Sequence, residues 1–597
     1  MEKKTKPVET VTVRPPDGGW GWVVVLGSFF CNVIVDGIIF SYGLLLPELA
    51  KDLGESKGRL AWVGSLLAGF YLIAGPIVSG LANTYGCRPV TVAGTVIAAV
   101  SFIIASFSPS MEYLCLTFGV FGGIGFGFIY LPAIVTVGFY FESRRALATG
   151  LAVCGSGVGT FLMAPFVQFL LSHYDWRGTV LILAGVVLNC AIFGALFRPL
   201  PPQQLPSDIE ATEKPSLSQR TKIPKSASKT EWDSVEPLRS LPVSMSLPEM
   251  PSVVDDFSSE SPTSSDDISP PPSYNDVVGA EEEERFAFLR PPPMSQNIVP
   301  SKPKKSSSYV FRSDIVRPFY RQDILYSASL LNLPEYKKSC QDLQLYSESV
   351  TKIPAVREED GHCLSPAMKE TFRQMLDLSL LRSPTFLLLG AGGFLTLAGL
   401  FVPFMFIVDM AVQQGISLED ATYFLPVIGL TNTVGRVLCG WISDRPSFNA
   451  LTINNAALVV AGLATAISSC LNSIALLMAY SAIFGFAVGC FATLRSIVIV
   501  ELLGLDKLTN AFGLLLLFQG LASMVGAPVA GMFYDATGSY DAPFYIAGSL
   551  ILVSGIMGIP LPYISRWENN KRLSSKDHVS VSVECPDDES KVLSVTV

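Results

Sequence analysis

Twelve apolar stretches, each about 19 residues or longer, are arranged along the chain as six, then a long polar gap, then six more. Crossing roughly 30 Å of hydrocarbon takes about 20 helical residues, and lipid offers no hydrogen-bond partner to a free backbone amide. Each stretch is therefore expected to be a spanning helix. The helices should begin near Trp22, Ala61, Val90, Glu112, Ala146 and Gly178, and then near Pro384, Ala421, Leu451, Ile474, Ala511 and Ala542. The first run is about 25 residues long and no small-residue cleavage site follows it, so it reads as a retained span and not a signal peptide. With 49% hydrophobic and only 16% charged residues, the 597-residue chain is expected to be an all-α polytopic membrane protein.

Five regions follow: an N-terminal tail over 1–21, a six-helix half over 22–197, a polar tract over 198–383, a second six-helix half over 384–563 and a C-terminal tail over 564–597. The tract contains runs such as "SSESPTSSDDISPPPSY". Such a composition buries too little apolar surface to offset chain entropy, so the tract is expected to be largely disordered, with short helices near Tyr320 to Tyr336. The net charge of −9 owes much to this tract, with Glu281 to Glu284 as a run, and is not a nucleic-acid signal. Lys and Arg in short loops set orientation. Arg88, Arg144, Arg145, Arg445 and Lys507 fall on the side of the long tract, whereas "SPSM" and "ATGSYD" carry no cation; the mixed "KDLGESKGR" is an exception. The expectation is a multi-pass plasma-membrane protein with both termini and the tract in the cytoplasm.

The eleven cysteines are scattered, and Cys31, Cys115, Cys154, Cys190, Cys439 and Cys490 lie inside apolar runs without paired zinc spacings. They read as small apolar residues. No G-x-x-x-x-G-K-[ST], no H-E-x-x-H and no intramembrane His/Cys constellation occurs, so neither an enzyme nor a cofactor or metal site is expected. None of the three histidines falls within an expected span, which argues against a histidine proton relay.

Three charges do fall within spans: Asp36, Arg436 and Arg495. A charge at the centre of a spanning helix is disfavoured by about 2.5–3.5 kcal/mol on insertion scales, so such residues face a polar cavity or pair with one another. Arg436 can present two parallel hydrogen bonds to a carboxylate that has lost its water. Its alternative is pairing with helix-end carbonyls. Asp36 can carry a proton or receive an amine, with neutralisation by Arg436 or Arg495 as the alternative. Arg495 is a second substrate candidate, and Glu501 offers it a structural partner.

The 6+6 plan with a long middle tract resembles the major facilitator plan, in which two six-helix halves are related by an axis along the membrane normal. The turns "SGLANTYGCRP" and "CGWISDRP" are similar to its G-x-L-A-D-R-x-G-R loop, with Asn83 standing where that loop usually has Asp and with Asp444 and Arg445 kept in the second half. These residues imply a charged latch between helix ends. "DGGWGW", Asp17, Gly18, Gly19, Trp20, Gly21 and Trp22, resembles the signature of the monocarboxylate transporter family, solute carrier family 16. Trp20 and Trp22 also suit an interfacial aromatic belt, and Asp17 with the two glycines suits a helix entry. The paired Arg144 and Arg145 of "YFESRRALATGLAVCGSGVG" and the stretch "LTNAFGLLLLFQGLASMVGAPVAGMFYDATGSYDAPFY" are similar to that family's fifth and eleventh helices.

The resemblance covers both halves and implies a carrier of monocarboxylates or related small carboxylates by alternating access. The family's eighth helix carries an Asp and an Arg four residues apart, implicated in proton-coupled carboxylate binding, and these positions map to Asn432 and Arg436. An amide cannot titrate, so Asn432 argues against symport through this position. Phe40 stands where proton-coupled members carry a lysine, with Asp36 one turn earlier. Lactate-like acids, aromatic amino acids, and carnitine- or creatine-like zwitterions are the substrate classes implied. A non-transporting receptor or a channel on the same fold is the alternative function. Some members need a single-pass immunoglobulin-type subunit to reach the surface, and no residue here identifies one.

Two further motifs lie outside the spans. Pro271, Pro272, Ser273 and Tyr274 form a P-P-x-Y sequence that a WW domain can grip as polyproline II, with chance occurrence in a Pro-rich tract as the alternative. The terminal "VTV" fits a PDZ groove as an added strand, against the alternative of a free tail.

Overall fold

A computed structural model describes residues 11–12, 15–200, 203–204, 317–330, 333–339, 343–351, 366–443 and 449–576. Asp444 and Arg445, Pro271, Pro272 and Tyr274, and the C-terminal "VTV" lie outside these residues.

Among the described residues, ten helices are long and apolar enough to cross a membrane. Two more candidates are pairs broken by a bend: Lys57–Ile73 with Gly75–Tyr85 (46°), and Asp541–Met557 with Leu561–Lys571 (42°). Pro76 and Pro560 stand at the breaks. A proline without an N–H interrupts the ladder there. Counting each pair once gives twelve spans. The first six are Trp20–Leu53, the bent Lys57–Tyr85 pair, Cys87–Ser106, Met111–Tyr140, Arg145–His173 and Trp176–Ala195. Spans seven to twelve are Pro384–Gln413, Leu418–Ile442, Ala450–Ser468, Ile474–Leu503, Leu505–Thr537 and the second bent pair.

Local chemistry sets the ends. Side chains of Ser56, Asp175, Ser383 and Asn449 accept from backbone amides of the first turns they precede, satisfying donors that a helix start leaves open. Gly54 closes the first span with φ 65°, a conformation natural to glycine. Large apolar side chains such as Val100 and Ile104, Leu188 and Ile192, and Leu463 and Ile467 point outward, as a lipid-facing surface requires.

Adding six to each span number maps one half's packing onto the other's. Spans one and five, three and six, and three and four pack in the first half; seven and eleven, nine and twelve, and nine and ten pack in the second. The halves meet most extensively through two pairings related in the same way, span two on eleven and span eight on five. Small residues permit the close approach. A Cβ on Gly157 would sit 2.6 Å from the Gly429 carbonyl oxygen, and one on Gly429 equally close to that of Gly157.

The described tract residues form short pieces: a turn at Pro318–Tyr320, helices Pro334–Lys338, Leu343–Val350 and Pro366–Met375, and a turn at Leu378–Arg382. Short helices are expected there from sequence. Their packing is not: Leu325, Tyr326, Leu330, Tyr336 and Tyr346 are buried. A two-residue antiparallel pairing of Val11–Thr12 with Gln203–Gln204 is the one named sheet among the described residues.

Candidate functional site

A cavity of about 150 Å³ lies between the halves, lined by Asp36 and Phe40 from span one, Arg436 from span eight and Arg495 from span ten. Four of the residues singled out from sequence therefore share one chamber. Asn432 supports it from behind: Arg436 Nε donates to Asn432 Oδ1 at 2.7 Å, the pairing that a four-residue helical spacing allows. Arg436 is 9% exposed. Its Nη2 donates to the Ser156 hydroxyl of span five at 3.2 Å, and Nη1 has no protein partner among the described residues. The guanidinium is oriented across the two halves with donors still free.

Asp36 is 6% exposed and accepts from the Tyr71 hydroxyl at 2.9 Å. Ser156, Arg436 and Arg495 also act on it electrostatically. Neutralisation through an ion pair is not what holds it, since Asp36 makes none among the described residues. An acid and a base thus line one chamber without touching. Tyr71 packs on Tyr130 at 4.8 Å between ring centroids, and both rings line the cavity.

Arg495 departs from its expected structural partner. Nη1 donates to Gln519 Oε1 on span eleven at 2.8 Å and the guanidinium lies 4.8 Å from the Phe512 ring centre. Glu501 faces the backbone at Ala450 and Leu451. Arg495 Nε and Gln519 Nε2 are buried donors without a partner among the described residues, a costly state unless a ligand or water accepts from them. Phe40 stacks on Phe404 at 4.3 Å and on Phe401 at 5.9 Å, so aromatic rings from both halves form one wall.

The far side, opposite the tract, is sealed directly between the halves. Lys57 of span two makes an ion pair with Asp409 of span seven, and the Tyr540 hydroxyl donates to the same carboxylate. The Gly58 N–H donates to Asp535 at 3.1 Å.

The "DGGWGW" residues lie away from the cavity, on the tract side. Asp17, at φ 49°, accepts from the amides of Glu142 and Ser143 at 2.7 and 3.0 Å. Trp20 Nε1 donates to the Leu196 carbonyl at 3.0 Å, under the Arg198 guanidinium, and Trp22 packs on Phe141. Gly19 takes φ 54° with open space around it, whereas a Cβ on Gly18 would meet the Pro16 carbonyl oxygen at 3.9 Å. The signature therefore ties the entry of span one to the turn between spans four and five. Arg144 and Arg88 are exposed, while Arg145 is fully buried.

Sequence reasoning passes over Tyr71, Tyr130, Ser156 and Gln519. Ser156 is signalled only by its Gly-rich setting, "GSG", and the others look like ordinary span residues.

The arrangement matches what known proteins suggest. Residues 28–471 and 455–583 match the family model described as Major Facilitator Superfamily. The chain is 26% identical to "Monocarboxylate transporter 12-B" of Danio rerio, covering 96% of this chain and 93% of that protein. It is 27% identical to "Monocarboxylate transporter 14" of Mus musculus, over 96% of both chains, and 29% identical to "Monocarboxylate transporter 9" of the same organism, over 94% and 96%. These relatives are named as transporters, not enzymes. Two matched halves around a polar chamber, with a family match over most of the length, place the protein as a transporter: the chain belongs to the Major Facilitator Superfamily and, within it, to the monocarboxylate transporter family.

Proposed function

We propose that the protein carries a small carboxylate, with zwitterionic carboxylates preferred, by rocking its two halves about the central cavity. One observation carries the reading: Arg436 and Asp36 line the same chamber without pairing. A fixed guanidinium replaces the hydration of a substrate carboxylate. Asp36, held by Tyr71, receives an amine or quaternary nitrogen, and the Tyr71, Tyr130 and Phe40 rings suit a cation as well as an apolar body. Arg495 and Gln519 contribute further donors. The names of the relatives support a carboxylate, and loop cations support an orientation with the termini and tract in the cytoplasm of what we read as a plasma-membrane protein.

Asn432 orients Arg436 without titrating, so the cycle is facilitated and only weakly driven by protons. The test is uptake by the expressed protein of lactate-like acids, aromatic amino acids and carnitine- or creatine-like zwitterions at two external pH values. Saturable uptake of the third class with little acid stimulation is expected; strong acid stimulation with plain acids preferred would assign Asp36 to proton transfer instead. Arg436→Lys keeps the charge but loses the planar fork, and should lower uptake at least tenfold at equal surface abundance. Near-normal uptake would remove Arg436 from the site.

A further inference from the structure

Residues 318–330 of the tract enter the gap between the halves and form the tract-side wall of the cavity. Leu325, Ser327 and Ala328 line the chamber that holds Asp36, Arg436 and Arg495. Leu325 and Ala328 are buried there.

Charges fix this entry. Arg145 Nη1 donates to the carbonyl and the carboxylate of Asp323 at 2.8 and 3.0 Å, while its Nε and Nη2 donate to the Phe141 and Gly138 carbonyls. Arg321 donates to Glu142 at 2.7 Å and to Asp323 at 2.9 Å. All four side chains are at most 6% exposed. A lone buried guanidinium costs several kcal/mol, so the burial of Arg145 is intelligible only with Asp323 seated beside it. Asn83 adds a contact that its amide makes possible: Nδ2 donates to the Thr371 hydroxyl at 2.8 Å and Oδ1 accepts from the Phe319 amide at 3.3 Å. A carboxylate at this position could accept but not donate. Span four is shaped for the segment too, since a Cβ on Gly138 would lie 2.7 Å from the Ile324 carbonyl oxygen.

Ser327 touches both halves at once. Its carbonyl accepts from Thr149 of span five at 2.8 Å, and its hydroxyl lies 2.6 Å from that of Ser496 on span ten. For the far side to open, the halves must close here, and Ser327 stands between them.

We propose that residues 321–330 are an autoinhibitory plug: seated, they occupy the tract-side mouth and hold the carrier with its far side sealed, and transport requires their release. The proposal rests on the alternating-access reading, but its test measures entry to the cavity and needs no substrate.

Val153 lines the cavity from span five. In the full-length protein, Val153→Cys is exposed from the tract side to a membrane-impermeant maleimide, against the parent's own cysteines as background. Slow labelling is expected, rising at least tenfold when Arg321→Ala and Asp323→Ala are combined; equal rates overturn the plug. A second arm leaves the ion cluster intact, so it does not depend on how that double variant folds. Ser327→Cys with Ser496→Cys should join as a disulfide on treatment with copper–phenanthroline, and failure to join overturns the seating. Once joined, labelling of Val153→Cys from the far side should fall at least tenfold and recover with dithiothreitol. Persistent far-side labelling of the joined protein shows that it still cycles and refutes autoinhibition.

Discussion

The two ends of the central cavity are closed by different means. On the far side the seal belongs to the spans: Lys57 of one half meets Asp409 of the other, with Tyr540 and Asp535 beside them. On the tract side, among the described residues, a third element stands between the spans. A separate stretch of chain, residues 318–330, fills the mouth and is held by Arg145, Asn83 and Ser496. A seal made by the moving parts breaks whenever they rock apart. A seal made by a third element persists until that element leaves, so the second end can be controlled independently of the transport cycle.

The largest effect is expected from breaking the far-side seal. Asp409→Ala leaves the Lys57 ammonium, only 24% exposed, without its carboxylate. The pair is partly screened, so its loss costs about 1–3 kcal/mol, between exposed and buried pairs. At about 1.4 kcal/mol per tenfold, far-side labelling of Val153→Cys should rise about tenfold or more. The exchanged pair Lys57→Asp with Asp409→Lys should recover much of the seal. If the single variant labels like the parent, the tyrosine and backbone contacts are the real closure.

A smaller effect should sharpen the tract-side half of the comparison. Asn83→Asp retains an acceptor for the Phe319 amide and loses the donor to Thr371, a change of about 1 kcal/mol plus the desolvation of a new buried charge. Tract-side labelling should rise several-fold, and far-side labelling should rise with it but by less, because the far side opens only from the released state. An unchanged tract-side rate would mean that Asn83 does not help to hold the segment.

How much of this is legible in sequence depends on the range of the contact. Each span is announced by its own composition, and the helix expected at Trp22 begins at Trp20, the one at Ala146 at Arg145. The pairing of Arg436 with Asn432 is legible because four residues make one helical turn. Arg495 shows where that reasoning stops. Glu501 is close in sequence, but six residues along a helix point to another face, and the partner is Gln519 on the next span. The plug is illegible for a deeper reason. A polar tract cannot build a core of its own, yet residues 318–330 borrow one from the bundle, through a contact between Asp323 and Arg145, 178 residues apart. Composition reports what a segment can bury alone, not what it can bury against a prepared surface.

The smallest effect expected is that of pH on the plug, and its sign is informative. Burial alone would raise the Asp323 carboxyl, but the charges and hydrogen bonds of Arg145 and Arg321 outweigh it and hold it well below the usual carboxylate range. Asp323 therefore favours the seated state above its ordinary pKa, a contribution lost only as pH falls through the depressed value, far below physiological pH. Glu142 behaves oppositely. Burial raises its carboxyl against the attraction of Arg321 and Arg145, and Asp323 adds repulsion. The charged neighbours are then Arg321, Arg145, Asp323 and, at the Glu142 backbone, Asp17, while burial keeps the Tyr346 hydroxyl on Asp323 protonated. A raised carboxyl binds its proton more tightly in the seated state, so acid strengthens seating as pH falls through that raised value, and the gain disappears above it. Between pH 7.5 and 6, tract-side labelling of Val153→Cys, corrected for the thiolate fraction with an exposed control cysteine, should stay level or slow by less than about twofold. Glu142→Gln should flatten even that. Labelling that accelerates on acidification would mean that the ion cluster releases the plug when protonated, and would reverse the assignment of Asp323 as the carboxylate that keeps it seated.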